Sequence, residues 1–183
     1  MNSLKVVILY DDDVNREIVL VARTTIQEAF NAEVIEIRKV EIPDTFYNPY
    51  RDQYLADLVV EHISYFRPEE SYAILLSSRD AYVPRLNFVF GLAMPLLWSA
   101  AVFLPRLMLG SSATIIFSRV EKEVLHEFGH LLGLEHCKTP GCVMNFSNSL
   151  KDVDRKTNKF CKRCTSKLRE RGIIISEKYV LDK

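Results

Sequence analysis

The chain has 183 residues, of which 48% are hydrophobic and 26% are charged, and this mixture excludes a disordered or fibrous protein. Lys plus Arg and Asp plus Glu number 24 each, so no net charge favours nucleic acid or acidic lipid as a partner. The charge is unevenly placed, because residues 151–171 hold nine Lys or Arg against three Asp or Glu, a local charge of +6.

The first eighty residues alternate between short apolar runs and helical periodicity. Strands are predicted at residues 4–10, 33–40 and 72–76, and helices at about 14–30 and 54–66. This alternation predicts a partly parallel sheet with crossover helices. Three aspartates, Asp11, Asp12 and Asp13, follow the first strand. We interpret them as the N-terminal cap of the first helix rather than as a cation site.

Residues 86–105 form a run of twenty residues without a charge, which is long enough for a membrane helix. Gly91 and Pro95 interrupt the run, and a span here would divide one small core between the two sides of a bilayer. We therefore predict two buried strands instead, at residues 87–94 and 100–104, joined at Pro95.

The beginning of the sequence does not match a secretory signal, because its apolar run is too short and no small-residue cleavage site follows. We expect the protein to stay in the cytoplasm, where thiols are reduced. The chain has four cysteines, Cys137, Cys142, Cys161 and Cys164. In a reducing compartment these favour a metal site over disulfides.

A further strand is predicted at residues 113–117. Ser118 and Glu121 then match a capping box, which predicts that a helix begins at Ser118. Gly133 is expected to end that helix, because glycine adopts the left-handed conformation common at helix C-termini.

This predicted helix carries the motif His126-Glu127-x-x-His130. Positions i and i+4 lie on one helical face, so both imidazoles can reach one ion. Glu127 is rotated by about 100° from His126 and can reach a ligand beside the ion without binding the ion itself. His136 follows the bend after the helix and can complete a three-histidine site, which leaves the fourth tetrahedral position for water.

The stretch from His126 to His136, followed by Met144, resembles the metzincin metalloproteases, in which a methionine turn lies beneath a three-histidine zinc site. The cysteines after the third histidine and the Asn-Phe-Val-Phe-Gly sequence at residues 87–91 are similar to those of the archaemetzincin family. The resemblance covers about residues 87–165. Some metzincins have a tyrosine two residues after the turn methionine, where this chain has Phe146.

The resemblance implies a compact zincin-like α/β domain over residues 1–183, with a mixed twisted sheet. Residues 1–118 would form most of the sheet part, and residues 119–183 the active-site helix, the Met-turn and a zinc-bound helical C-terminal part. It also implies a zinc peptidase with a catalytic zinc on the three histidines, Glu127 as general base and a peptide or protein substrate. Some animal members of the family are described as aminopeptidases, so this form of activity is also open.

A second, structural zinc is implied by the same resemblance, held by Cys137, Cys142, Cys161 and Cys164. The spacings C-x4-C and C-x2-C independently suit a closed tetrahedral thiolate site, although four unligated buried thiols are the alternative. Two zinc ions per chain are therefore expected.

A binding protein is the alternative function: a zinc-stabilised protein that binds peptide or nucleic acid with little or no proteolytic turnover. The basic segment 151–171 surrounds two of the cysteines, as in zinc modules that bind nucleic acid. Phe160 is the only aromatic residue within it, so we favour a solvated helix face over a nucleic-acid surface. The uncharged strands at 87–104 can offer an edge that pairs with an extended peptide, although sheet interior is the simpler interpretation.

Overall fold

The structure, a computed structural model, describes residues 3–182. Its strands are β1 (Lys5–Tyr10), β2 (Glu33–Lys39), β3 (Tyr47–Asn48), β4 (Gln53–Leu55), β5 (Tyr72–Ser77), β6 (Ala81–Tyr82), β7 (Gly91–Met94) and β8 (Ser99–Phe103). Its α-helices are α1 (Arg16–Phe30), α2 (Ala56–Ser64), α3 (Leu104–Leu107), α4 (Ala113–Leu131), α5 (Leu150–Arg155) and α6 (Lys162–Glu170). Short 3-10 segments occur at Asp44–Phe46, Pro95–Leu97 and Glu177–Tyr179.

The main sheet has five strands in the order β2-β1-β5-β8-β7. Strands β2, β1, β5 and β8 are parallel, and β7 is antiparallel to β8 at one edge. Strands β3, β4 and β6 form a small second sheet. The mixed sheet and its crossover helices are those that the sequence predicts.

Both faces of the main sheet are covered, which explains why its central strands are continuous apolar runs. Val6 and Ile8 of β1 face α1 and α4, whereas Val7 and Leu9 face α2. All four side chains are completely buried. Helix α4 therefore lies directly on the sheet, next to the edge formed by β7 and β8.

The interpretation of the three aspartates as a helix cap is wrong. Helix α1 begins at Arg16, and the side chain of Asn15 accepts the capping hydrogen bond from the Glu17 N–H at 2.8 Å. The carboxylate of Asp11 is buried and accepts hydrogen bonds from the Ser77 hydroxyl at 2.6 Å and the Ser78 N–H at 2.9 Å. It therefore connects the carboxyl ends of β1 and β5, a long-range contact that local spacing does not reveal.

The uncharged run at residues 86–105 forms the hairpin of β7 and β8, with Pro95 in the connection as predicted. No helix among residues 3–182 is long and apolar enough to cross a membrane. Two details of the prediction are wrong: the first strand begins at Gly91 rather than at residue 87, and it is half-buried. The partial burial of β7 follows from its position as the edge strand, because among the described residues it has a neighbouring strand on one side only.

The strand predicted at residues 113–117 and the helix start predicted at Ser118 are also wrong. Helix α4 begins at Ala113, with Ser112 at the cap position, and Ser118 and Glu121 lie inside it. The β-branched residues at 114–116 have low helix propensity, but they form the first turn of α4, which is buried from Arg119 onward and packs against α1, and this packing of the helix overrides local propensity. The predicted end is close to the observed one, since Gly133 has φ = +87° directly after the helix.

Candidate metal centre

Three imidazoles converge at the C-terminal part of α4. His126 and His130 lie one turn apart on the helix, and their Nε2 atoms are 3.1 Å apart. His136 enters from beyond the bend at Gly133, and one ligand nitrogen from each of the three rings lies within 4.8 Å of the others. A tetrahedral zinc site with bonds of about 2.0–2.1 Å separates its nitrogens by about 3.4 Å, so this arrangement fits zinc.

Backbone carbonyls orient two of the three rings. His126 Nδ1 lies 2.9 Å from the Val143 oxygen, and His130 Nδ1 lies 2.7 Å from the Leu134 oxygen. A carbonyl can only accept, so each Nδ1 donates its proton and leaves Nε2 free to bind a metal. Burial lowers the pKa of His126, His130 and His136, which favours the neutral, ligating form of each ring.

The turn around Met144 lies directly beneath the helix. A Cβ atom added to Gly129 would come within 2.6 Å of the Met144 sulfur, so this close packing requires a glycine. The Cys137 N–H donates to the Met144 carbonyl at 2.9 Å. Two residues later, the exposed Phe146 packs edge-on against the His136 ring, with centroids 5.0 Å apart.

Glu127 lies in the floor of the cleft beside the three histidines. Its side chain packs against Gly91 of β7, where any side chain would overlap the carboxylate. Burial raises the pKa of Glu127 well above its ordinary value, nearby Glu123 raises it further, and Lys156 opposes the shift. A cation bound beside the carboxylate would also oppose it. Glu127 is therefore a buried carboxylate that can hold or release a proton at this site.

The cleft above these residues has a volume of about 480 Å³. The histidines and Glu127 form one side, and β7 forms the other, with the outer edge of β7 unpaired among the described residues. Most of the remaining lining is apolar: Val83, Leu86, Phe88, Val89, Phe90, Leu92, Pro95, Leu134 and Phe146.

A second group of ligands lies next to the first. The sulfurs of Cys137 and Cys161 are 3.7 Å apart, and those of Cys142 and Cys164 are 3.8 Å apart. Zinc–sulfur bonds of about 2.3 Å place tetrahedral sulfurs about 3.8 Å apart, so the cluster fits a zinc site with four thiolate ligands. A hydrogen bond from Cys164 lowers the pKa of Cys142 to about 7 and raises that of Cys164.

The two ligand groups share one segment of chain. His136 immediately precedes Cys137, and Cys142 immediately precedes Val143, whose carbonyl orients His126. Cys161 and Cys164 come from the beginning of α6. The four cysteines therefore bring the beginning of α6 against the turn that supports the histidines.

Sequence reasoning missed a buried ion pair beside the histidines. Glu123 of α4 and Lys156, which follows α5, are 2.8 Å apart, with side chains 3% and 1% exposed. Lys156 belongs to the basic segment 151–171, which we interpreted as a solvated helix face. Lys162 and Arg163 are exposed, as that interpretation predicts, but Lys156 is buried. The available signal was the position of Glu123, one turn before Glu127 on the same helical face.

Comparisons with known proteins agree with this geometry. The sequence model of peptidase family M54 matches residues 5–170. The archaemetzincin of Nanoarchaeum equitans is 38% identical over 158 residues, which cover 86% of each chain. The crystal structure of archaemetzincin from Methanopyrus kandleri has a TM-score of 0.82 and 35% identity, covering 92% of this chain and 94% of that one. That of a zinc-dependent peptidase from Methanocorpusculum labreanum has a TM-score of 0.72 and 27% identity, covering 89% and 99%.

Proposed function

The chain belongs to peptidase family M54, as the archaemetzincin resemblance implied, and from this premise we propose that it hydrolyses peptide bonds at the cleft. The observation that carries the proposal is the convergence of three imidazoles and one buried carboxylate, Glu127, on a single cleft. We assign His126, His130 and His136 as the ligands of a catalytic zinc.

When bound by the three histidines, zinc would supply a Lewis acid and would lower the pKa of a water beside it toward about 7. Glu127 accepts the proton of the attacking water as general base and returns it to the leaving amine. Burial suits the carboxylate to the role of general base, because a raised pKa makes it accept a proton more readily. Gly91 leaves the space in which the Glu127 side chain is held.

Phe146 has a different role from the tyrosine found at the equivalent place in some metzincins. Its ring has no hydrogen-bond donor, so it cannot polarise the substrate carbonyl. It packs edge-on against His136, the ligand that lies outside the helix. We assign Phe146 as a support for the third histidine.

The substrate is proposed to be an extended peptide with apolar side chains near the cleaved bond. The edge of β7, which is unpaired among residues 3–182, can form backbone hydrogen bonds with such a peptide, although sheet interior was the simpler interpretation of its sequence. The largely apolar lining, including Phe88 and Phe90, suits apolar side chains. A free peptide N-terminus is positively charged and would need an accessible carboxylate in the cleft. Glu123 and Glu127 are buried, and Glu123 is already paired with Lys156. The exposed Glu135 at the rim is therefore the carboxylate available to such an N-terminus.

The four cysteines are proposed to hold a second, structural zinc. Their sulfur separations match a closed tetrahedral site, and none of the four is in a disulfide. Such a site requires reduced thiols, and the cytoplasm therefore remains our predicted location.

Cleavage of a peptide library by zinc-loaded protein tests the proposed activity. Each peptide is offered with a free and with an acetylated N-terminus, and a chelator-treated sample serves as the control. Cleavage of both forms indicates an endopeptidase, whereas cleavage of free N-termini alone indicates an aminopeptidase. Binding of peptides without cleavage by the zinc-loaded protein would contradict the proposal and favour a peptide-binding protein.

A further inference from the structure

The buried ion pair of Glu123 and Lys156 touches the metal centre. The Lys156 ammonium lies 2.8 Å from the Glu123 carboxylate, 3.4 Å from His126 Nδ1 and 3.5 Å from the Asn145 carbonyl. It therefore connects α4 to the turn that contains Met144, at the back of a ring assigned as a metal ligand.

Two groups approach His126 Nδ1 and make opposite demands on it. The Val143 carbonyl, at 2.9 Å, requires a proton on Nδ1. An ammonium can only donate, so a hydrogen bond from Lys156 would require Nδ1 to be unprotonated. In a neutral ring the proton would then be on Nε2, the atom that faces His130 and must be free to bind a metal.

The Glu123 carboxylate resolves this conflict. Its negative charge attracts the ammonium more strongly than either neutral group does, and the two side chains form a buried ion pair at 2.8 Å. With Lys156 engaged by Glu123, the Val143 carbonyl is left as the partner of Nδ1.

We propose that Glu123 is a positioning residue for the metal centre, which acts by keeping the Lys156 ammonium from competing for His126 Nδ1. Lys156 in turn braces the turn against α4 through the Asn145 carbonyl. The inference rests on the proposed function only in taking His126 as a metal ligand.

A second ion pair, which joins α4 to α5 beside the first, provides a control. Arg119 of α4 donates to both carboxylate oxygens of Asp154 of α5, at 2.7 and 2.8 Å. Arg119 also donates to the carbonyls of Leu107 and Leu109, and among residues 3–182 the Asp154 carboxylate accepts hydrogen bonds from Arg119 alone. Asp154→Asn therefore weakens the contact between the helices without changing the surroundings of His126.

The experiment compares the parent with Glu123→Gln, Glu123→Gln/Lys156→Met and Asp154→Asn. Zinc affinity of the histidine site is measured by competition with a chromophoric chelator. Loss of a partner that orients a ligand typically lowers metal affinity about 10–100-fold, and we expect a loss in this range for Glu123→Gln. The double variant should recover most of the affinity, because the competing ammonium is gone, and Asp154→Asn should equal the parent.

Nitrogen-15 spectra of the chelator-treated proteins provide a readout without metal or activity. In the parent and the double variant, His126 should carry its proton on Nδ1. In Glu123→Gln a population protonated on Nε2 should appear. A parent ring protonated on Nε2 would overturn the proposal without any variant.

Three affinity results would also overturn it: no loss in Glu123→Gln, an equal loss in Asp154→Asn, or no recovery in the double variant. If Glu123→Gln does not fold, because an unpaired buried ammonium is costly, Glu123→Asp replaces it. This variant retains the charge but draws the carboxylate back, and unchanged zinc affinity would then contradict the proposal. Peptide cleavage enters none of these measurements, so their outcome is separate from that of the proposed activity.

Discussion

The sulfur of Met144 occupies the space that a side chain at Gly129 would need, at a distance of 2.6 Å from the position of a Cβ atom. Gly129 lies between the two helical histidines, and Met144 follows Val143, whose carbonyl orients one of them. The helix and the turn are thus in direct contact below the metal site. The glycine between the two helical histidines is explained by this contact rather than by backbone conformation.

Gly129→Ala should destabilise the protein by about 1–3 kcal/mol, the usual range for overpacking a core. In an unobstructed helix interior the same change would stabilise by about 1 kcal/mol, so the sign of the effect is informative. Unfolding by urea measures it. The control is the same change in a Met144→Ala background, where the added methyl group has room and should be neutral or stabilising. Destabilisation of the same size in both backgrounds would show that the sulfur contact is not the cause.

Native mass spectrometry should detect two zinc ions per chain. A mild chelator should remove the ion at His126, His130 and His136 first, because three protein ligands leave one position open to exchange. The cysteine site is closed by four ligands and should release its ion later. A mass that shows a single zinc, or a disulfide between Cys137 and Cys142, would contradict this prediction.

Cys161→Ser should lower the melting temperature much more than His136→Ala. Cys161 lies at the start of α6, and a zinc ion held by the four cysteines would fasten that helix to the segment beneath the histidines and so contribute to folding. His136 is exposed and lies beyond the end of α4, and its loss should mainly reduce zinc binding and activity. Differential scanning calorimetry of both variants makes the comparison. Equal losses would mean that the two sites do not divide into structural and catalytic roles.

Local sequence patterns predicted which histidines converge at the candidate site, because these residues are separated by short spacings. His126 and His130 share a helical face by periodicity alone, and Gly133 ends the helix through a conformation that glycine favours. The central strands could also be predicted from the sequence, since a strand that is buried on both faces is a continuous apolar run.

The errors have a common physical origin in contacts that are distant in sequence. The β-branched residues at 114–116 favour a strand locally, but they form the first turn of α4, whose residues from Arg119 onward are buried against the core. Asp11 resembles a helix cap until β5 brings Ser77 to it. Lys156 resembles the other exposed lysines of its segment, and only the packing of α5 on α4 buries it against Glu123.

Glu127→Gln should reduce peptide hydrolysis by at least about 10²-fold, which is typical for the loss of a positioned general base. The amide has nearly the same size as the carboxylate, so zinc content and peptide binding should remain those of the parent. Cleavage of a fluorogenic peptide, zinc content and peptide affinity are measured on the same preparations. Unchanged cleavage would remove Glu127 from the mechanism, and loss of zinc would show that it supports the metal.

The same variant should also change how stability depends on pH in the chelator-treated protein. Burial raises the pKa of Glu127 in the folded state above its unfolded value, so the folded state binds this proton more tightly. The buried carboxylate therefore destabilises the parent at a pH above the folded pKa, and this penalty fades as the pH falls through that pKa. Glutamine carries no such charge. Glu127→Gln should be more stable than the parent at neutral and higher pH, and the two melting temperatures should converge in acid.

The effects of the three histidines are common to both proteins and cancel in the difference. Parallel curves across the pH range would show that Glu127 has the same pKa in the folded and unfolded states.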